Sequence, residues 1–149
     1  MNKLFFISSI FLASFTSAIA APGKMAYEGV QATPINVLGN GKTITGQPYV
    51  LPATNQDLKP FNVTIGAGKS TDIHQHPVPA LVYVVSGELE INYGSKGKRV
   101  VKTGESYVEA INWCHQASSY GNKPVNVLVF YFNTEGKDLA DSSKCSKLE

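Results

Sequence analysis

This sequence predicts an all-β fold, a barrel or a sandwich. Three observations carry that expectation. Strand-length apolar runs recur through the second half of the chain, glycine and proline punctuate them, and no stretch repeats its apolar residues at helical spacing.

The first residues stand apart from that pattern. Lys3 gives a short positive start, an apolar run follows over residues 4–15, and Ala18-Ile19-Ala20 offers the small-x-small pattern of a signal peptidase site. Residues 1–20 therefore read as a signal peptide of a secreted or periplasmic protein. The run is well short of the roughly 20 apolar residues that a membrane span needs, so no membrane association is expected after cleavage.

Residues 21–58 read as an N-terminal extension with edge strands around Met25-Ala26-Tyr27 and Ile35-Asn36-Val37-Leu38. The Gly39-Asn40-Gly41 turn then leads into a further piece at residues 42–45. Residues 47–52 are bracketed by Pro48 and Pro52 and read as extended coil.

Residues 59–133 form the expected barrel core. Phe61, Val63 and Ile65 alternate with Asn62, Thr64 and Gly66, which gives a strand with one buried face. The run LVYVV at residues 81–85 is β-branched and aromatic and stops at the turn Ser86-Gly87. Leu89, Ile91 and Tyr93 then face a core while Glu88, Glu90 and Asn92 face water. Shorter strands follow at residues 99–101, 106–109 and 111–116, and the last strong strand spans residues 125–132. Residues 134–149 form a polar tail.

With 13 Lys and Arg against 11 Asp and Glu, the formal charge is +2. No basic stripe appears, which argues against a nucleic-acid partner. No phosphate loop, nucleotide motif or serine or cysteine triad is visible. Cys114 and Cys145 would enter an oxidising compartment, where a disulfide is permitted and would bring the tail close to His115; two unpaired thiols are the alternative.

Chemistry concentrates in residues 68–87, GKSTDIHQHPVPALVYVVSG. Two of the three histidines, His74 and His76, sit there one residue apart, and on an extended strand they point the same way. Imidazole nitrogens converging from neighbouring strands make an open metal site suited to zinc, copper, iron or nickel, and His115 is the third ring available.

The spacing from Gly68 through His74, His76 and Ala80 to Gly87 resembles the first cupin motif, G-x5-H-x-H-x3-E-x6-G. Residues 104–119 are similar to the second, G-x5-P-x-G-x2-H-x3-N, with His115 at its metal-binding histidine. The resemblance implies a cupin-type double-stranded β-helix, a jelly-roll-like barrel, with one divalent metal (Fe, Zn, Cu, Ni or Mn) held by His74, His76 and His115. It departs from the motifs where Ala80 replaces the glutamate ligand, Ala110 the proline, Asn112 the glycine and Ser119 the asparagine.

Three readings follow from the missing carboxylate. The centre consists of three histidines alone, or a carboxylate has moved, with Glu109 the candidate, or the barrel binds a small ligand without metal. Glu109 faces inward on the second reading and outward to solvent if the parity of its strand is reversed. An enzyme of this kind would be a small-molecule oxygenase or isomerase, with Glu109 as ligand or general base and Tyr83 as a donor. The competing class is a non-catalytic carrier or sensor of a sugar or small acid. Trp113, Tyr83, Phe130 and Phe132 are expected as core or pocket wall, and by analogy with cupins an edge-strand homodimer is expected.

Overall fold

The structure, a computed structural model, describes residues 33–53, 56–134 and 136–148. The expected signal peptide and the strand around Met25-Ala26-Tyr27 lie outside the described residues. The chain divides into two units, Met1–Pro34 and Ile35–Glu149, and the fold is that of the second.

Among the described residues, eight strands make up two sheets. They are β1 (Asn36–Leu38), β2 (Gln56–Ile65), β3 (Ala80–Ser86), β4 (Glu88–Asn92), β5 (Lys98–Lys102), β6 (Glu105–Val108), β7 (Gln116–Ser119) and β8 (Val125–Thr134). One sheet has the order β1-β6-β3-β8-β2 and the other β5-β4-β7. All pairs are antiparallel except β1 with β6. The all-β expectation is met, and among the described residues no helix is long and apolar enough to cross a membrane.

Both sheets turn their apolar face to one core. Ala80, Val82 and Val84 of β3 and Val125, Val127 and Val129 of β8 meet Leu89 and Ile91 of β4 and the adjoining Tyr93, all buried. The turn that carries the chain from β3 in one sheet to β4 in the other is tight against the start of β8. Gly87 has φ +78°, and a Cβ there would collide with the Pro124 carbonyl and lie 2.9 Å from the Val125 Cα, so both conformation and space require glycine.

Three elements differ from expectation. β2 begins at Gln56 and carries Pro60 in its middle, which an edge strand paired only with β8 tolerates. Residues 42–45 form turns rather than a strand, and Gln47 takes over the pairing. Its side-chain amide donates to the Ile111 carbonyl (3.0 Å) and accepts from the Ile111 N–H (3.1 Å). The strand expected at residues 111–116 is reduced to isolated bridges at Ile111 and His115, and regular pairing starts at Gln116. Asn112 interrupts it with φ +50°. Asparagine is among the few residues that enter the left-handed region readily, so it keeps the bend at the position where the second motif carries glycine.

Candidate metal centre

His74 and His115 face each other across a two-residue bridge, each backbone N–H donating to the other's carbonyl at 3.0 and 2.8 Å. His76 lies on the same side as His74 and is tied to the next turn of chain by the Asn112 N–H donating to its carbonyl (2.8 Å). Ring centroids are 4.6 Å apart for His74 and His115, 4.8 Å for His74 and His76, and 5.2 Å for His76 and His115. One ligand atom from each ring lies within 4.8 Å of the other two, so these three side chains can hold a metal ion. His76 and His115 are buried and His74 is half-buried.

The hydrogen bonds on the far sides of the rings decide which nitrogen is free. Nδ1 of His74 reaches the Asp72 carbonyl at 2.8 Å, Nδ1 of His76 the Leu139 carbonyl at 2.7 Å, and Nδ1 of His115 the Trp113 carbonyl at 2.9 Å. A carbonyl can only accept, so each Nδ1 carries a proton, and Nε2 is the nitrogen that each ring turns to the site. Burial holds two of the rings neutral. It lowers His76 to about 4 and His74 below the usual histidine value. Neutral rings with a fixed tautomer and an outer partner are the form in which histidine binds metal.

Glu109 is buried beside them and faces inward, which settles the parity of its strand. A buried carboxylate needs donors, and three converge on it. The Tyr93 hydroxyl and the Ala110 N–H donate to Oε1 at 2.5 and 2.7 Å, and the Tyr107 hydroxyl donates to Oε2 at 3.2 Å. Burial, reinforced by the Glu109 charge, pushes both phenols well above the usual tyrosine value, so they remain protonated donors. Oε2 lies 3.6 Å from Nε2 of His115. The backbone N–H of Glu109 donates to the carbonyl of Ala80 (2.9 Å), so a carboxylate stands just past the end of the neighbouring strand β6, directly across from the position where the motif's glutamate is missing.

These groups line a cavity between the sheets of about 100 Å³. Val63, Ile65, Val82, Leu89, Val127 and Val129 supply its apolar wall, Ala80 leaves room, and Tyr107 and Tyr131 add phenols. The Tyr131 ring lies 5.3 Å from that of His76, and burial pushes its hydroxyl up to about 12.

Tyr83 does not belong to this set. Ala80 and Val82 of β3 line the cavity, and strand alternation turns Tyr83, one residue further on, to the opposite face of the sheet. The same parity takes Phe130 and Phe132 of β8 off the cavity wall, whereas Trp113 packs against the core and donates its ring N–H to the Tyr93 carbonyl (2.9 Å). Of the phenols that matter, the sequence places Tyr93 on the core side, but it marks none of Tyr93, Tyr107 and Tyr131 as part of the site. For Tyr131 no signal was available, because β8 is apolar on both faces. For Tyr107 the signal was its shared face with Glu109. Cys114 is bonded to Cys145, so it is no nucleophile, and the tail is fastened beside His115 as a disulfide would require.

Ser119, at the asparagine position of the second motif, also has its own use. Its hydroxyl accepts from the Gly68 N–H and donates to the Gly66 carbonyl, both at 2.9 Å, closing the turn that leads to the histidines.

Residues 61–131 match a family model described as Cupin domain. No curated protein matches the sequence. Among solved structures the chain is similar to DMSP lyase DddQ from Ruegeria pomeroyi DSS-3, at 22% identity and a TM-score of 0.49, over 62% of this chain and 45% of that one. It is similar to oxalate decarboxylase from Lactobacillus farciminis at 24% identity and a TM-score of 0.46, over 52% of this chain and 25% of the decarboxylase. A cupin-like protein from Thermotoga maritima shows 18% identity and a TM-score of 0.48, over 62% of this chain and 70% of its own. This chain therefore spans less than half the length of the lyase and a quarter of the decarboxylase.

Proposed function

Since this chain belongs to the cupin superfamily through residues 61–131, we propose that it is a metal-binding cupin acting on a small molecule. One divalent transition-metal ion would be held by Nε2 of His74, His76 and His115. The observation that carries this reading is that all three Nδ1 atoms are spent on backbone carbonyls, which leaves the three Nε2 atoms as the ligand atoms beside one cavity. Such a set suits iron, zinc, copper or nickel, and the Glu109 carboxylate adds the hard oxygen that manganese prefers. When bound, the metal supplies Lewis acidity toward a substrate carbonyl or hydroxyl, or redox capacity for oxygenation.

The chain's own residues define the rest. A cavity of about 100 Å³ with an apolar wall admits a molecule of a few heavy atoms. The reading as a metal-free carrier of a sugar or small acid is weaker, since a sugar is too large for that space and the neutral rings of His74 and His76 offer an acid no positive charge. Glu109 stands as the anionic member of the centre, ligand or general base. Tyr93 and Ala110 fix Oε1, leaving Oε2 turned toward His115 to accept a proton from substrate.

We also read the protein as secreted or periplasmic. The Cys114–Cys145 disulfide supports that reading, because such bonds persist in oxidising compartments. Elemental analysis of protein purified without a histidine tag tests the metal: about one ion per chain is expected, lost on His76→Ala or His115→Ala. A folded wild-type protein that takes up none of these metals after loading would overturn it.

A further inference from the structure

The geometry points to a second role for the C-terminal tail: it is a clasp that sets the His76 ring for metal binding, and the Cys114–Cys145 disulfide is what keeps the clasp closed. This inference rests on the metal reading above and assigns positioning residues to that site.

The three histidines differ in where their outer partners come from. His74 and His115 donate to carbonyls two residues back, at Asp72 and Trp113, which accompany the ring wherever the local chain goes. His76 donates to Leu139, 63 residues away in the tail. Its tautomer and orientation therefore depend on tertiary structure, whereas those of its two neighbours do not.

Beyond the buried Asn133 amide, which donates to the Lys137 carbonyl (3.1 Å), the tail is held there by few contacts. Its described residues are mostly polar or charged, and Leu139 is only half-buried. Next to His76 it makes one isolated bridge, in which the Gln75 N–H donates to the Asp141 carbonyl (3.0 Å) and the Asp141 N–H to the Gln75 carbonyl (2.9 Å). Beyond the bridge the Asp141 carboxylate accepts from the N–H and hydroxyl of Ser143, and the Cys145 N–H donates to the Ser142 carbonyl. These are local turns. A pair of backbone hydrogen bonds does not offset the entropy of ordering a polar segment of this length.

The covalent link supplies what burial cannot. Cys145 is joined to Cys114, the residue before His115, so the tail is anchored at both sides of the histidine cluster: by the bridge at Gln75 and by the disulfide at Cys114. Strand neighbours point to opposite faces, so the sulfur lies behind His115 and does not compete for the metal. Opening the link frees Leu139, and the His76 ring loses the acceptor that keeps its proton on Nδ1.

The test is a Cys114→Ser/Cys145→Ser variant, compared with wild type by long-range proton–nitrogen NMR of the imidazole rings in metal-free protein and by zinc titration. In wild type all three rings should be Nδ1-protonated. In the variant His76 alone should shift toward the Nε2-protonated or a mixed form while His74 and His115 keep theirs, and zinc affinity should fall about 10–100-fold. A folded variant in which His76 keeps its tautomer overturns the clasp. Should the double variant fail to fold, Asp141→Pro removes the N–H donated to Gln75 and leaves the disulfide; the same His76-specific change is expected, and its absence overturns the inference. A wild type that binds no zinc counts against the metal reading instead, and the tautomer spectra still decide the clasp.

Discussion

Oε2 of Glu109 lies 3.6 Å from Nε2 of His115, with both side chains almost wholly shielded from solvent. A carboxylate in that position, across the strand pair from Ala80, stands close to where the missing ligand of the first motif would be. Removing its charge while keeping its shape, by Glu109→Gln, should weaken manganese binding about 10–100-fold and zinc binding less, because the hard cation depends more on anionic oxygen. Chelator competition with each metal measures the difference. Unchanged affinity for both metals would mean that Glu109 acts only as a packing group.

The relationship between these two positions can be tested by exchange. Ala80→Glu/Glu109→Ala returns the carboxylate to the strand that carries it in the motif. Manganese affinity should recover to well above that of Glu109→Ala alone. Isothermal titration of the three proteins gives the comparison, and no recovery would show that the two sites are not equivalent.

Tyr93 and Tyr107 both donate to Glu109, but at different lengths, 2.5 and 3.2 Å. Tyr93→Phe should therefore cost more stability than Tyr107→Phe, on the order of 2 kcal/mol for the former, since hydrogen bonds to a buried charged group are the stronger ones. Denaturant melts of the metal-free proteins provide the ranking, and the reverse order would contradict it.

Metal-free protein should lose stability in weak acid. His76 titrates near 4 when folded and near 6.5 as an ordinary histidine, so between those values the unfolded chain binds the extra proton. The stability present above pH 6.5 is then lost progressively as pH falls toward 4, by on the order of 3 kcal/mol from this group. His74, also lowered, acts in the same direction. Melting temperature measured in steps from pH 7 to pH 4 checks this, and His76→Phe should flatten the curve.

Gly87→Ala should destabilise the barrel by about 1–3 kcal/mol, because its backbone sits at positive φ and the added methyl meets the Pro124 carbonyl and Val125. Gly104→Ala, at a similar φ but in open space, should cost less. Thermal denaturation of the pair separates collision from conformation.

Much of the barrel could be read along the chain. The alternation at Leu89, Ile91 and Tyr93 placed their faces correctly, and the break at Ser86-Gly87 fell where the chain passes from one sheet to the other rather than folding back as a hairpin. The pairing of His74 and His76 on one side followed from strand geometry alone. Where a strand is apolar on both faces, as in β8, the period vanishes and inward Tyr131 looks like outward Phe130. Where pairing is carried by a side chain, as Gln47 does for Ile111, no backbone pattern announces it.

By itself, the sequence determined an all-β chain with three imidazoles and an alanine where the motif has its glutamate, because residue type and spacing fix which side chains share a face of a strand. Only the tertiary structure decided that His115 meets the other two, that Glu109 turns inward onto two tyrosines, and that the tail reaches His76. Each of those contacts joins residues distant along the chain, and such distances are set by how sheets pack and where a disulfide closes, neither of which has a local signature.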